Sequence, residues 1–255
     1  MEFVEATRDG AVALVRLNRP PVNALSEQVA IELDEAFTTC ENPAIRAVVV
    51  TGQPHFAAGA DIKGFQETFD SGGRETTAST LQRAIARLDE LPKPTIAAIH
   101  GYALGGGCEL TLGCDFRYMA DDALIGQPEV LLGLIPGAGG TQRLQRVVGF
   151  QKAKDIVYTG RQVGADEARA IGYADKVAAA DQVLDLALED AAVWATKATR
   201  AIAEAKRALA AGRGLPLDQA LDLEQAGFQA TFATDDAVEG VSAFIQKREA
   251  EFKGS

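Results

Sequence analysis

The sequence predicts a layered α/β fold of repeated strand–strand–helix units followed by a helical C-terminal region. Short apolar runs, at 46–51 and 95–99, are bounded by Gly or Pro and separated by stretches with apolar residues at helical spacing. That alternation is the pattern of sheets covered by helices. Near Asp181 it stops, and the rest of the chain is nearly all helix, rich in alanine and charge. The division is a core over residues 1–180 and a helical region over 181–255.

The elements follow in order. Residues 3–7 and 12–17 form strands around a turn at Asp9-Gly10, and Asn18-Arg19-Pro20-Pro21 breaks the pattern. Ser26 caps a helix with Glu27 in its first turn, and Val29, Leu33 and Phe37 line one face. The run 46–51, closed by Gly52, is a buried strand. Residues 80–91 form a helix with Leu81, Ile85 and Leu88 on one side, stopped by Pro92 and Pro94. The run 95–99 is the next buried strand. Gly105-Gly106-Gly107 opens a helix to about Leu112, and a strand follows at 116–119. The polar stretch 66–79, with Gly72-Gly73 in its middle, reads as a mobile loop. In the tail, Leu217, Leu221, Phe228 and Phe232 form one apolar stripe; Val238, Val241, Ile245 and Phe252 form another. Asp236 with Glu239 reads as a capped helix start.

Composition narrows the function. Of 255 residues, 47% are hydrophobic and 24% charged, as in ordinary globular proteins. No apolar run approaches the roughly 20 residues that span a bilayer, and the start lacks a signal-peptide pattern. The expectation is a soluble, cytoplasmic protein. A net charge of −11 argues against nucleic acid as partner but leaves room for a small anionic ligand. Cys40, Cys108 and Cys114 form no Cys-x-x-Cys pair, so free buried thiols are expected. His55 and His100 are too few for a histidine-rich metal centre, and both read as structural or surface residues.

Three segments carry chemistry. In Phe56-Ala57-Ala58-Gly59-Ala60-Asp61-Ile62-Lys63, small side chains let a ligand approach backbone N–H groups, though a plain turn has the same composition. In His100 to Leu110, three glycines at a helix start expose N–H groups on the positive end of the dipole. Glu109 sits on that first turn. By itself Glu109 also reads as a carboxylate complementing the dipole. In Gly126-Gln127-Pro128-Glu129, the carboxylate is set among apolar residues, where desolvation raises its pKa. Alone it is also an ordinary acidic residue of a first helical turn. Ile135-Pro136-Gly137-Ala138-Gly139-Gly140 then launches another helix.

Together, in this order and spacing, these segments resemble the crotonase, or enoyl-CoA hydratase/isomerase, family. The resemblance runs from Leu17-Asn18-Arg19-Pro20 to Ala243 through Arg248. It implies a crotonase-like spiral of ββα units with a C-terminal oligomerisation region, and an acyl-CoA substrate. It also implies an oxyanion hole at the Ala60 and Gly106 N–H groups. Ala58, Ala60, Asp61, Ile62, Lys63, Gly106 and Gly137 would contact the CoA thioester, with Lys63 the local cation and Gly137 near the bound water. Hydratases resemble this chain in carrying Glu at both the Glu109 and Glu129 positions. Glu109 is assigned mainly to water and Glu129 mainly to proton delivery at Cα, without metal or cofactor. The implied activity is 2-enoyl-CoA hydration in fatty acid or related acyl-CoA degradation, by a stand-alone homotrimer or homohexamer. The alternatives are a double-bond isomerase and a non-enzymatic RNA- or CoA-binding protein of the same fold.

Overall fold

In the computed structural model, which describes residues 1–61 and 77–255, the chain opens with an antiparallel hairpin. Its strands are β1 (Val4–Asp9) and β2 (Val12–Leu17), joined at Gly10 with φ 55°. Three further strands, β3 (Ala47–Gly52), β4 (Thr95–Ile99) and β6 (Phe116–Ala120), continue the sheet in parallel, and β9 (Lys176–Ala178) ends it. Every residue of β3 and β4 is buried, which is why they read as continuous apolar runs rather than as alternation.

A second sheet has the order β5-β7-β8, from β5 (Tyr102–Leu104), β7 (Leu124–Gly126) and β8 (Gln162–Gly164). After β4 and β5 comes helix α3 (Gly106–Thr111). After β6 and β7, beyond a 3₁₀ turn at Pro128–Leu132, comes α4 (Gly140–Val148). Each of these two units lays one strand in each sheet before its helix, and the chain advances as a spiral of ββα units.

The early helices are α1 (Glu27–Thr39) and α2 (Thr77–Glu90), and they pack together. Their inward residues Val29, Leu33, Phe37, Leu81, Ile85 and Leu88 are all buried. Ser26 caps α1, its hydroxyl accepting from the Val29 N–H at 3.3 Å. The expected loop 66–79 falls largely outside the described residues. Its last three residues already belong to α2, which begins earlier than position 80.

Beyond α4 come α5 (Phe150–Thr159), α6 (Ala165–Ala170) and α7 (Val183–Ala195). Helix α7 lies past residue 181, yet Val183, Ala187, Ala191 and Ala195 bury one face of it against the large sheet. The remaining helices are α8 (Thr199–Ala211), α9 (Leu217–Thr231) and α10 (Asp235–Gln246). Thr234, not Asp236, caps α10, its hydroxyl accepting from the Ala237 N–H at 3.1 Å. Asp236 is buried and accepts instead from the Lys253 and Gly254 N–H groups at 2.7 and 2.8 Å. Glu239 pairs with Arg248. The sequence pattern of an acidic helix start hid a carboxylate that anchors the chain terminus.

The three cysteines are free and buried. His100 is buried beside Thr51 and Gln53, and His55 stacks on Tyr102, so both histidines are structural.

Candidate active site

The site is assembled where the chain leaves β3 and β4. After β3, Asn23 donates its amide to the His55 carbonyl at 2.7 Å and accepts from the Arg19 N–H at 2.7 Å, holding the loop. Ala58 donates to the Val22 carbonyl at 2.9 Å. Leu25 donates to Gly59 and accepts from Asp61, each at 2.9 Å, in a parallel bridge centred on Ala60. Peptide groups of an extended strand alternate in direction, so the Ala60 N–H points away from Leu25. The Asp61 carboxylate is paired with Arg19 at 2.7 Å.

The same loop runs beside the chain leaving β4. Ala57 donates to Tyr102 and accepts from Leu104, both at 3.0 Å, a parallel bridge in which 57 faces 103. A Cβ on Gly105 would lie 3.7 Å from the Gly59 Cα, so the loop at 59–60 lies against the start of α3. The Gly106 N–H opens α3, where no preceding turn can accept it. Neither N–H makes an intramolecular hydrogen bond among the described residues. Close approach explains the glycines: a Cβ on Gly107 would lie 2.1 Å from the Ala57 carbonyl oxygen.

Glu109 is 3% exposed on the first turn of α3. Its Oε1 accepts from the Ala138 and Gly140 N–H groups at 2.8 and 2.7 Å. Gly137 directly precedes this clasp, and Gly140 starts α4, so the carboxylate also sits on a second helix dipole. Burial pushes the Glu109 pKa up, opposed by those N–H bonds and by Arg143.

Glu129, half-buried in the first turn of the 3₁₀ segment, approaches from the other side. A Cβ on Gly105 would lie 3.0 Å from its Oε1, so the carboxyl stands at the N-terminus of α3. Burial, then the charge of Glu109, raises its pKa to about 7. The structure thus brings together Ala58, Ala60, Asp61, Gly106, Glu109, Glu129 and Gly137. Ile62 and Lys63 lie outside the described residues.

Sequence reasoning missed two features. It placed Gly137 at the site but not the Ala138 and Gly140 N–H groups that fix Glu109. It also gave no role to Gln127, which is wholly buried against Glu129. A glutamine between Gly126 and Pro128 in an apolar stretch is the signal, because a buried amide must find partners.

Two outward N–H groups, one on a helix dipole, and two carboxyls with raised pKa at the same opening define an acid–base site for a substrate carbonyl. Comparison with known proteins places it. The model of the enoyl-CoA hydratase/isomerase family matches residues 7–255, and the chain belongs to that family. It is 39% identical to the crotonyl-CoA hydratase of Syntrophomonas wolfei, covering 98% of each chain. It is 40% identical to the short-chain-enoyl-CoA hydratase of Clostridium acetobutylicum, over 96% of this chain and 95% of that one. The crystal structure of an enoyl-CoA hydratase from Bacillus anthracis superposes with a TM-score of 0.92 at 35% identity, covering 99% of this chain and 100% of that one. The expected crotonase-like spiral is therefore the fold of this protein.

Proposed function

We infer that this protein is an enoyl-CoA hydratase, adding water across the double bond of a 2-enoyl-CoA to give the 3-hydroxyacyl-CoA. The observation that carries the reading is the pair Glu109 and Glu129 at one opening, both with pKa raised. The full-length likeness to proteins named as hydratases supports it.

The geometry supports the following chemistry. The thioester oxygen sits between the Ala60 and Gly106 N–H groups, which stabilise the charge that develops on it. Glu109, its Oε1 held by two N–H groups, uses Oε2 to orient water and take its proton. The water oxygen bonds to Cβ as the double-bond electron pair moves toward the thioester, giving an enolate. Glu129 then delivers a proton to Cα. Proton transfer is supplied by carboxyls and charge stabilisation by backbone donors, so we propose that no metal is needed. Ala58 and Asp61 border the CoA path. Incubation with 2-enoyl-CoA thioesters of increasing length, in EDTA, should show loss of the enoyl absorbance. No hydration of any chain length, or activity only with an added divalent ion, would overturn this reading.

We further propose that the C-terminal region, residues 181–255, mediates oligomerisation to a homotrimer or a dimer of trimers. Phe228, Phe232, Val238, Val241 and Ile245 are exposed, and Phe244 is 85% exposed. Apolar faces of this kind are ordinarily buried against a partner. Light scattering at micromolar concentration should give a trimer or hexamer mass, and a monomer would refute the proposal. No helix among the described residues is long and apolar enough to cross a membrane.

A further inference from the structure

The segment Asn18-Arg19-Pro20-Pro21, which breaks the pattern after β2, carries a guanidinium to the loop that presents Ala60. Asn23 fixes the Arg19 backbone at both ends: its Oδ1 accepts from the Arg19 N–H at 2.7 Å, and its own N–H donates to the Arg19 carbonyl at 2.9 Å. The side chain then reaches two separate stretches of chain. Nη1 donates to the Ala24 carbonyl at 2.7 Å. Nη2 donates to the Asp61 carboxylate, also at 2.7 Å. The Phe3 ring lies on the guanidinium, its centroid 5.4 Å from Cζ. Phe3 is held in turn, because its N–H donates to the buried Glu32 carboxylate at 2.7 Å.

Ala24 and Asp61 are the chain neighbours of Leu25 and Ala60, the two residues that face each other in the parallel bridge. A fork across them ties one side of the bridge to the other, one residue from the Ala60 N–H. On the opposite side of Ala60, the Ala58 N–H bond to the Val22 carbonyl, at 2.9 Å, does the same. The donor peptide is therefore held from both directions. An oxyanion donor is effective only when it is set in advance toward the place where charge develops, and small misalignments cost rate. Arginine suits this task because its planar fork bonds two acceptors in fixed geometry, which the single ammonium of lysine does not.

We propose that Arg19 is a positioning residue for the oxyanion hole, its guanidinium clamping Ala24 to Asp61 and so fixing the direction of the Ala60 N–H. The carbonyl-binding role of that N–H rests on the function proposed above. The Arg19 and Asp61 side chains are 28% and 23% exposed, so as an ion pair they add little to stability. What the pair supplies is geometry and charge. The cation offsets a carboxylate that stands one residue from the N–H where negative charge is to develop.

The infrared band of a bound thioester carbonyl reads the clamp without turnover. The probe is butyryl-CoA, which has no double bond to hydrate, measured with and without an isotopic label on its carbonyl carbon. At saturation, the band on the wild-type enzyme should lie below that of free butyryl-CoA, because two N–H donors weaken the C=O bond. In Arg19→Met it should move part of the way back. The kcat for 2-enoyl-CoA hydration should fall about 10–10²-fold, with KM changed far less. Arg19→Lys, which keeps the charge but not the fork, should lie between the two. Arg87→Met is the control: it removes a similar fork, from α2 to Asp34 and Glu41 at 2.7 and 2.8 Å, and should leave band and rate as in wild type. Circular dichroism establishes that each variant is folded. A wild-type band in folded Arg19→Met, an Arg19→Lys variant indistinguishable from wild type, or an equal loss in Arg87→Met would overturn the clamp. If wild type hydrates no 2-enoyl-CoA but the bands move as described, the proposed function fails and the clamp stands. An unshifted wild-type band would remove the oxyanion hole and the clamp with it.

Discussion

Glu109→Gln and Glu129→Gln should each lower hydration by about 10²–10⁴-fold, the range of a general acid or base. The double variant should be little worse than the poorer single one, because both groups act on one water. Glutamine keeps an Oε1 that can accept from the Ala138 and Gly140 N–H groups, so the clasp around position 109 survives. Stability should move the opposite way from activity. Both carboxyls have folded-state pKa values above the ordinary one, so each favours the folded state when protonated. That contribution is lost as pH rises from the unfolded value toward the folded one, which for Glu129 is about 7. At neutral to alkaline pH a neutral glutamine should leave the melting temperature unchanged or raise it. A merely structural Glu109 would show the reverse, a lower melting temperature at full rate. An isomerase would need Glu129 for moving the double bond and be nearly indifferent to Glu109. Rates of hydration and isomerisation, taken with melting curves, separate the three cases.

The second large effect is expected at Gly107. A Cβ there would stand 2.1 Å from the Ala57 carbonyl oxygen, which accepts from Leu104 in the bridge joining the loop after β3 to the chain leaving β4. Backbone cannot yield as a side chain can. Gly107→Ala should therefore cost roughly 1–3 kcal/mol of stability, the scale of overpacking. It should also lower kcat by about 10²–10³-fold, as when one oxyanion donor is lost. Gly106→Ala is the control. Among the described residues its Cβ would meet only the Leu81 Cδ2 and Leu25 Cδ1 atoms, at 3.0 and 3.1 Å, and the ends of leucines can shift. It should be much the milder of the two in melting temperature and in kcat. Equal behaviour of the two variants would argue against the 57-to-103 register as the feature that builds the site.

These contrasts show what could be read from sequence. The buried parallel strands were legible because apolar, β-branched runs closed by Gly or Pro have few other uses. Helices α1 and α2 were legible through Val29, Leu33 and Phe37 and through Leu81, Ile85 and Leu88, whose spacing matches one face. Strands β5, β7, β8 and β9 were not, since each has three residues, too short for any periodicity to register. Helix α7 shares the alanine-rich composition of the tail, and only tertiary packing separates it from α8 onward. At the site, Glu109 and Glu129 stood out as carboxylates in apolar or glycine-rich surroundings. Their environment did not. The clasp on Glu109 is made of backbone N–H groups, which every residue but proline carries, and the buried contacts among residues 108, 111 and 173 arise only through the fold.

The most direct measurement of the proposed chemistry is a crystal structure of the protein with a 3-hydroxyacyl-CoA product bound. The thioester oxygen should lie about 2.7–3.1 Å from both the Ala60 and Gly106 nitrogens, as an oxyanion hole requires. The 3-hydroxyl should lie between Glu109 Oε2 and the Glu129 carboxyl, within hydrogen-bond reach of both. A thioester carbonyl bound away from those two N–H groups, or a hydroxyl remote from either carboxyl, would contradict hydration at this site.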